Sequence, residues 1–266
     1  MLILALDTAT RVCSTALIDS SDGRLIAEYT QNIKKTHSQR LMPLIDNLIQ
    51  DTSTSKCDLF AVAVAAGPGS FTGLRIGVST ARGLAQGLGV PAVGVSTLEA
   101  LAYNLATVKG DLICPILDAR RDQVYTALFR FHHRISEDGE GDTFRNAAAK
   151  SVLDEVKLEV LQDPGAMSIN ELMQILDRFK EPVYFPGDGI FKYKTYLYEQ
   201  LGERFREVPS MLALNRASSV ASCALRKIEL SADPIEDFSF YHLQPQYLRL
   251  PEAERNYQNQ CQQQEA

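Results

Sequence analysis

The chain lacks most of the sequence features that mark a common enzyme site. Its five cysteines, at 13, 57, 114, 223 and 261, form no C-x-x-C pair and are odd in number. That predicts a reduced, cytosolic setting with mostly buried thiols. Of the four histidines, 37, 132, 133 and 242, none pairs with another at i+4 on a helix, and the adjacent pair would point to opposite faces of a strand. There is no G-x-S-x-G elbow, and no cysteine has an obvious base nearby. No apolar run approaches the roughly 20 residues needed to span a bilayer. The first residues carry no basic stretch and meet an acid at Asp7, so no signal peptide is expected there and the chain reads as soluble and intracellular. Lysine and arginine number 27 against 33 acids, a net charge of -6. This balance argues against an unaided grip on nucleic acid, although it leaves room for a local basic patch.

What is present begins with Gly67-Pro68-Gly69-Ser70-Phe71-Thr72-Gly73-Leu74-Arg75-Ile76-Gly77, a glycine turn between an apolar strand and a helix. Such a turn aims backbone N–H groups at the positive end of a helix dipole, where an anion or a docked partner is favoured. No Lys-Ser or Lys-Thr follows Gly73, which removes the phosphate-binding lysine of a nucleotide-hydrolysing P-loop. The spacing G-x-G-x-x-x-G is one residue longer than a dinucleotide fingerprint, and no acid stands at Val95-Ser96-Thr97 to hold a ribose. A plain turn with close helix packing remains an equal reading.

With 266 residues and 45% hydrophobic content, the chain can bury a sizeable core in one large domain or two lobes. Residues 2–6, 13–18 and 24–30 read as three strands joined by short turns, a β-meander. Thr36-His37-Ser38-Gln39 fits a capping box, with Leu41, Leu44, Ile45, Leu48 and Ile49 following as an amphipathic stripe interrupted by Pro43. A strand over 59–65, a helix over 72–88, a strand over 90–95 and a helix over 98–108 complete the order βββαβαβα. A comparable order starts again with strands at 112–117 and 123–131, helices near 172–179 and 213–230, and a short strand at 183–186. Residues 132–142 read as a hairpin tip or flexible insertion. The division expected is a first lobe over 1–108, a second lobe over 109–250 whose last helix is a candidate to pack back on the first, and a polar tail over 251–266.

Gly73, Gly77, Ala81 and Ala85 recur at four-residue spacing, placing small residues on one helix face. Glycine inside a helix costs about 0.8–1 kcal/mol relative to alanine, so Gly77 needs a packing reason. That reason is either a contact within the chain or a subunit interface with Arg75 and Arg82 at its rim. Asp7 and Thr8 at the end of the first strand, and Gly187-Asp188-Gly189 after a later one, are candidates for a nucleotide cleft or simply for turns, as is Asp118.

Taken together, Ile3-Leu4-Ala5-Leu6-Asp7-Thr8-Ala9-Thr10, His37-Ser38-Gln39-Arg40-Leu41, the glycine turn, Val93-Gly94-Val95-Ser96-Thr97-Leu98-Glu99-Ala100-Leu101 and Asp118-Ala119-Arg120 resemble the TsaB (YeaZ) family. This is a family of accessory proteins in bacterial threonylcarbamoyladenosine synthesis on tRNA. The resemblance is strongest over the first 120 residues. It implies an α/β, two-lobed fold of the actin, sugar-kinase and Hsp70 type, each lobe a mixed sheet with a meander start flanked by helices. It also implies a catalytic paralogue, TsaD, whose His-Leu-Glu-Ala-His segment supplies two metal ligands. Here those positions hold Thr97 and Leu101, neither of which replaces an imidazole.

The family thus implies a non-catalytic scaffold with no catalytic or metal residue of its own. Its partners would be the paralogue and the small ATPase TsaE, with a homodimer when alone and tRNA reached only through the complex. No cofactor is required, ATP or ADP binding being open in the complex. The family's pairing surface lies on the first two helices, which makes Leu41, Gly73, Arg75, Gly77 and Ala81 the interface candidates. A nucleotide-dependent kinase or ATPase of the same superfamily is the alternative, and a metalloprotease a third reading against which the missing histidines count.

Overall fold

The computed structural model describes residues 1–133 and 156–249. The tail over 251–266, and all of the 132–142 segment except the two histidines that end a strand, lie outside the described residues.

The first sheet begins with an antiparallel meander of β1 (Leu2–Asp7), β2 (Cys13–Asp19) and β3 (Leu25–Gln31). After α1 (His37–Asp51), β4 (Leu59–Gly67) pairs parallel to β1, and after α2 (Phe71–Leu88), β5 (Ala92–Ser96) pairs parallel to β4. The spatial order is β3-β2-β1-β4-β5. The strands β1 and β4 are apolar at nearly every position because both faces are covered. Alternate residues Leu4, Leu6, Val62 and Val64 pack with α1 and α2, while Ile3, Ala5, Ala61, Ala63 and Ala65 pack on the opposite side with a late helix, α7 (Ala217–Leu230). The last helix of substantial length thus covers a sheet formed by the first third of the chain.

α1 buries Leu41, Leu44, Ile45 and Leu48 of the expected stripe, with Ile49 half-buried, and continues through Pro43. The expected capping box is not formed: Thr36 is the N-cap residue, but its side chain caps no backbone N–H. Residues at the helix start anchor it from elsewhere. His37 Nε2 donates to the Thr10 carbonyl at 2.7 Å, and Arg40 donates to the carbonyls of Gln31 and Arg11. Burial holds the His37 pKa below its ordinary value, and a ring that donates from Nε2 can accept from Arg40 at Nδ1.

α3 (Thr97–Tyr103) ends five residues before the expected boundary, where the chain tightens from Asn104 into turns whose N–H groups reach back three residues, and Asn104 also serves as a strut. Its side chain donates to the carbonyls of Leu212 and Leu214 and accepts from Ser219.

The second sheet comprises β6 (Leu112–Ile113), β7 (Ile116–Asp118), β8 (Gln123–His133), β9 (Val156–Ser168), β10 (Val183–Tyr184) and β11 (Phe205–Arg206). Its order is β11-β10-β6-β8-β7, with β9 also paired to β8. The single strand expected over 112–117 is broken into β6 and β7, and the adjoining helices are α4 (Ile169–Leu176) and α5 (Ile190–Leu201). The helix expected over 213–230 is two: α6 (Ser210–Ala213) and α7, separated by extended residues that include Asn215. A last short helix, α8 (Pro234–Asp237), precedes a strap that returns along the first sheet. There Ala92 donates to the Phe238 carbonyl, Leu243 is buried, and Gln246 donates to the Ala66 carbonyl.

α7 has no side-chain cap of its own. Glu28 of β3 replaces one by accepting from Ser218 N, Ser218 Oγ and the Arg216 guanidinium, while its own side chain is 8% exposed. Glu28→Ala leaves these donors unpaired and is expected to cost about 2 kcal/mol, read from the shift in urea unfolding midpoint at constant slope.

Candidate functional site

A cleft of about 1060 Å³ opens where the ends of the strands from the two sheets meet. Its floor and walls come from the turn after β1 (Ala9, Thr10, Arg11), the loop before α1 (Lys34, Lys35) and the glycine turn opening α2. From the second lobe come Asp118, Arg120 and Arg121 after β7, and Asp188 ahead of α5; the strap adds Tyr247 and Arg249.

Each glycine of the first-lobe turn is required by the chain itself. A Cβ on Gly67, whose φ is +137°, would lie 2.2 Å from the Gln246 carbonyl oxygen, and one on Gly69 would lie 2.3 Å from that of Ala9. On Gly73 it would come within 2.1 Å of the Thr8 carbonyl oxygen, and on Gly77 within 2.4 Å of Thr8 Oγ1 and 3.3 Å of Val64. The small-residue stripe therefore lies on β1 and β4, and Gly73, Gly77 and Ala81 are buried there. As an accessible docking face this stripe is corrected: close approach is needed, but the element approached is the molecule's own sheet. Leu41 is likewise a core residue, 1% exposed. Of the five interface candidates only Arg75 is at the surface, with its guanidinium 3.9 Å over the Phe71 ring and its Nε donating to the Tyr247 hydroxyl.

The nucleotide-cleft candidates also separate. Thr8 is buried and donates through Oγ1 to the Gly73 carbonyl at 2.7 Å, pinning α2 to β1. Asp7 is fully buried, accepts from Ala9 N and Asn215 Nδ2, and does not line the cleft. Burial pushes its pKa up to about 6, against those two hydrogen bonds, which lower it. Gly187 (φ +111°) and Gly189 face the Ile116 carbonyl, where a Cβ would lie 2.1 and 2.9 Å away, so they admit a strand rather than a ligand. Asp188 alone of the five reaches the cleft. It accepts from the Asp118 amide at 3.2 Å, and burial raises its pKa while Arg11 works the other way.

The sequence reading missed how many cations the cleft gathers: among the described residues Arg11, Lys34, Lys35, Arg120, Arg121 and Arg249 line it, against Asp118 and Asp188. The doublets Lys34-Lys35 and Arg120-Arg121 were visible signals, but their convergence depends on how the two lobes meet. Arg120, Arg121 and Asp122 take φ of +61°, +51° and +57°, three consecutive non-glycine residues in the left-handed region. Each such residue costs on the order of 1 kcal/mol or more. The turn is held by the Asp118 carboxylate accepting from Arg120 N, by the Lys192–Asp122 ion pair at 2.9 Å, and by Arg249 donating to the Ala119 carbonyl.

The family model described as TsaD, tRNA N6-adenosine threonylcarbamoyltransferase, matches residues 24–257. A Bacillus subtilis protein named tRNA threonylcarbamoyladenosine biosynthesis protein TsaB is 34% identical over 254 residues, covering 96% of each chain. The chain belongs to the TsaB family. The Escherichia coli TsaB is 40% identical over 131 residues, covering 49% of this chain and 55% of that one. Among solved structures, YeaZ from Pseudomonas aeruginosa superposes with a TM-score of 0.66 at 24% identity, over 93% of this chain and 99% of that one. The fold of this TsaB-family chain is the two-lobed actin, sugar-kinase and Hsp70 type.

Thr97 and Leu101, at the positions where the resemblance implies histidine ligands in the catalytic paralogue, are buried one turn apart in α3. Among the described residues, no group of three His, Cys, Asp or Glu side chains could hold a metal ion. Nor is any helix among them long and apolar enough to cross a membrane.

Proposed function

We propose that this chain acts without catalytic groups of its own in threonylcarbamoyladenosine formation on tRNA, as a scaffold for a metal-bearing paralogue of the TsaD kind. The observation that carries this reading is the pair Thr97 and Leu101: a buried hydroxyl and an aliphatic chain stand where imidazoles would be needed. The kinase or ATPase alternative is weakened by Asp7, which is fully buried, accepts from Asn215 and does not line the cleft. A TsaE-like ATPase would join the assembly, and the isolated chain would pair with itself.

The pairing surface we favour is the outer side of α1 and α2, opposite the stripe that packs inward. Gly83 lies inside α2 with no neighbouring atom of the described residues within 4 Å of a Cβ built on it, as does Gly87 near its end, so no contact among the described residues explains them. Met42, 49% exposed, lies on the neighbouring helix α1. Gly83→Trp should keep the melting temperature of the parent and lose co-purification with the paralogue. Normal co-purification of a folded Gly83→Trp chain would exclude this face.

A further inference from the structure

We propose that the interlobe cleft is a docking site for an RNA phosphodiester backbone, formed by this chain itself and not only by a complex containing it. The inference deepens the proposed role in tRNA modification and rests on it for the choice of polyanion.

The charge distribution is the first argument. In a chain of net charge -6, the described lining of one cleft gathers six cationic side chains against two carboxylates. Among the described residues Arg11, Lys34, Lys35 and Arg120 form no ion pair within 4 Å, although the chain has acids in excess. Converging cations repel one another, and a concave low-dielectric wall strengthens their common field. The left-handed run at Arg120, Arg121 and Asp122 adds backbone strain at this same place. A bound polyanion would offset the mutual repulsion of the cations.

The second argument is shape and chemistry. The cations come from both lobes, with Arg11, Lys34 and Lys35 facing the cleft from one and Arg120 and Arg121 from the other. A volume of about 1060 Å³ far exceeds a single phosphate. Aromatic rings border the cleft as well: Tyr125 lines the second-lobe side, and Tyr247 stands at the rim against Phe71, whose ring the Arg75 guanidinium covers. Cationic tracks flanked by aromatic faces suit a strand with unstacked bases. The eighteen-residue helix α2 opens into the same cleft, adding its positive end. A free nucleoside polyphosphate shares the phosphate chemistry, but it would use only part of this spread.

The test is fluorescence anisotropy with the isolated full chain and a labelled anticodon stem–loop RNA carrying adenosine beside the anticodon, across a salt series. The expected result is binding at low salt whose logarithm falls linearly with the logarithm of salt concentration. The triple variant Lys34→Glu, Lys35→Glu, Arg120→Glu should weaken binding at least tenfold and reduce the salt slope by about three. A control with equal charge change away from the cleft, Lys56→Glu, Lys109→Glu, Arg178→Glu, should weaken it much less. No RNA binding by the parent at low salt, or equal losses in the two triple variants, would overturn the proposal. So would ATP displacing the RNA at micromolar concentration, which would make the cleft a nucleotide pocket. Because the readout needs no paralogue, failure here leaves the scaffold role standing, and failure of reconstituted modification leaves the binding result standing.

Discussion

Gly73→Ala should remove about 3 kcal/mol or more of folding stability, whereas Gly83→Ala, ten residues along the same helix, should add up to about 1 kcal/mol. At Gly73 the new methyl group would sit 2.1 Å from a backbone oxygen, that of Thr8. That oxygen cannot swing aside as a flexible side chain could, because Thr8 is fixed at the end of β1 and its hydroxyl bonds the Gly73 carbonyl. The helix would have to lift from the sheet, uncovering Leu74, Val78 and Ala81. At Gly83 the same methyl meets nothing within 4 Å and only reduces the backbone freedom of the unfolded chain. Urea unfolding of the two variants separates the cases. Equal effects would mean that α2 does not pack through its small-residue stripe. Gly77→Leu belongs with Gly73: its side chain would enter the space of Thr8 and Val64, so the variant tests folding, not pairing.

The second large effect concerns Asp7. Its carboxyl is fully buried, and burial raises its pKa from the usual 3.8 to about 6. The folded state therefore binds this proton more tightly than the unfolded chain does. The stability contributed is fully present below about pH 4, is lost as pH rises through about 6, and stays lost above it, a change of about 3 kcal/mol. Asp7→Asn removes the ionisation. Its side-chain oxygen can accept from Ala9 N while Asn215 turns its amide, so that its oxygen meets the new donor and its nitrogen meets Thr10 Oγ1. The variant should match or exceed the parent in stability at pH 8 and lose that advantage at pH 4. Unfolding midpoints at the two pH values measure the difference directly, since the other titrating groups are common to both proteins. Parallel profiles would show that Asp7 is not ionised at a cost in the folded state.

The first lobe was legible because its signals are local. Apolar runs in β1 and β4, the period of α1 and the glycine turn specify elements without reference to the rest of the chain. The second lobe was less so. β9 was missed because it carries Gln162-Asp163-Pro164-Gly165, a turn signal that the structure absorbs where the β8 pairing shifts register. α5 buries Tyr193, Leu197 and Leu201 on one face, but exposed aromatic residues and lysines on its other faces blur that stripe in the sequence.

Spacing placed the small residues of α2 on one face but could not say which way that face turns. The structure turns it inward, because Thr8 and Val64 leave no room for a Cβ. The cleft was half visible: Asp118 and Asp188 stand at strand ends in the sequence. Arg11, Lys34 and Arg249, far apart in the chain, become neighbours only through the meeting of the lobes and the returning strap.

The most direct test of the scaffold reading is reconstitution of threonylcarbamoyladenosine on tRNA from purified components, with the chain present, absent, or replaced by Asp188→Asn. Modification is predicted to require the chain, to be absent when the chain is supplied without its paralogue, and to survive Asp188→Asn. Full modification without the chain, or modification by the chain alone, would contradict the account.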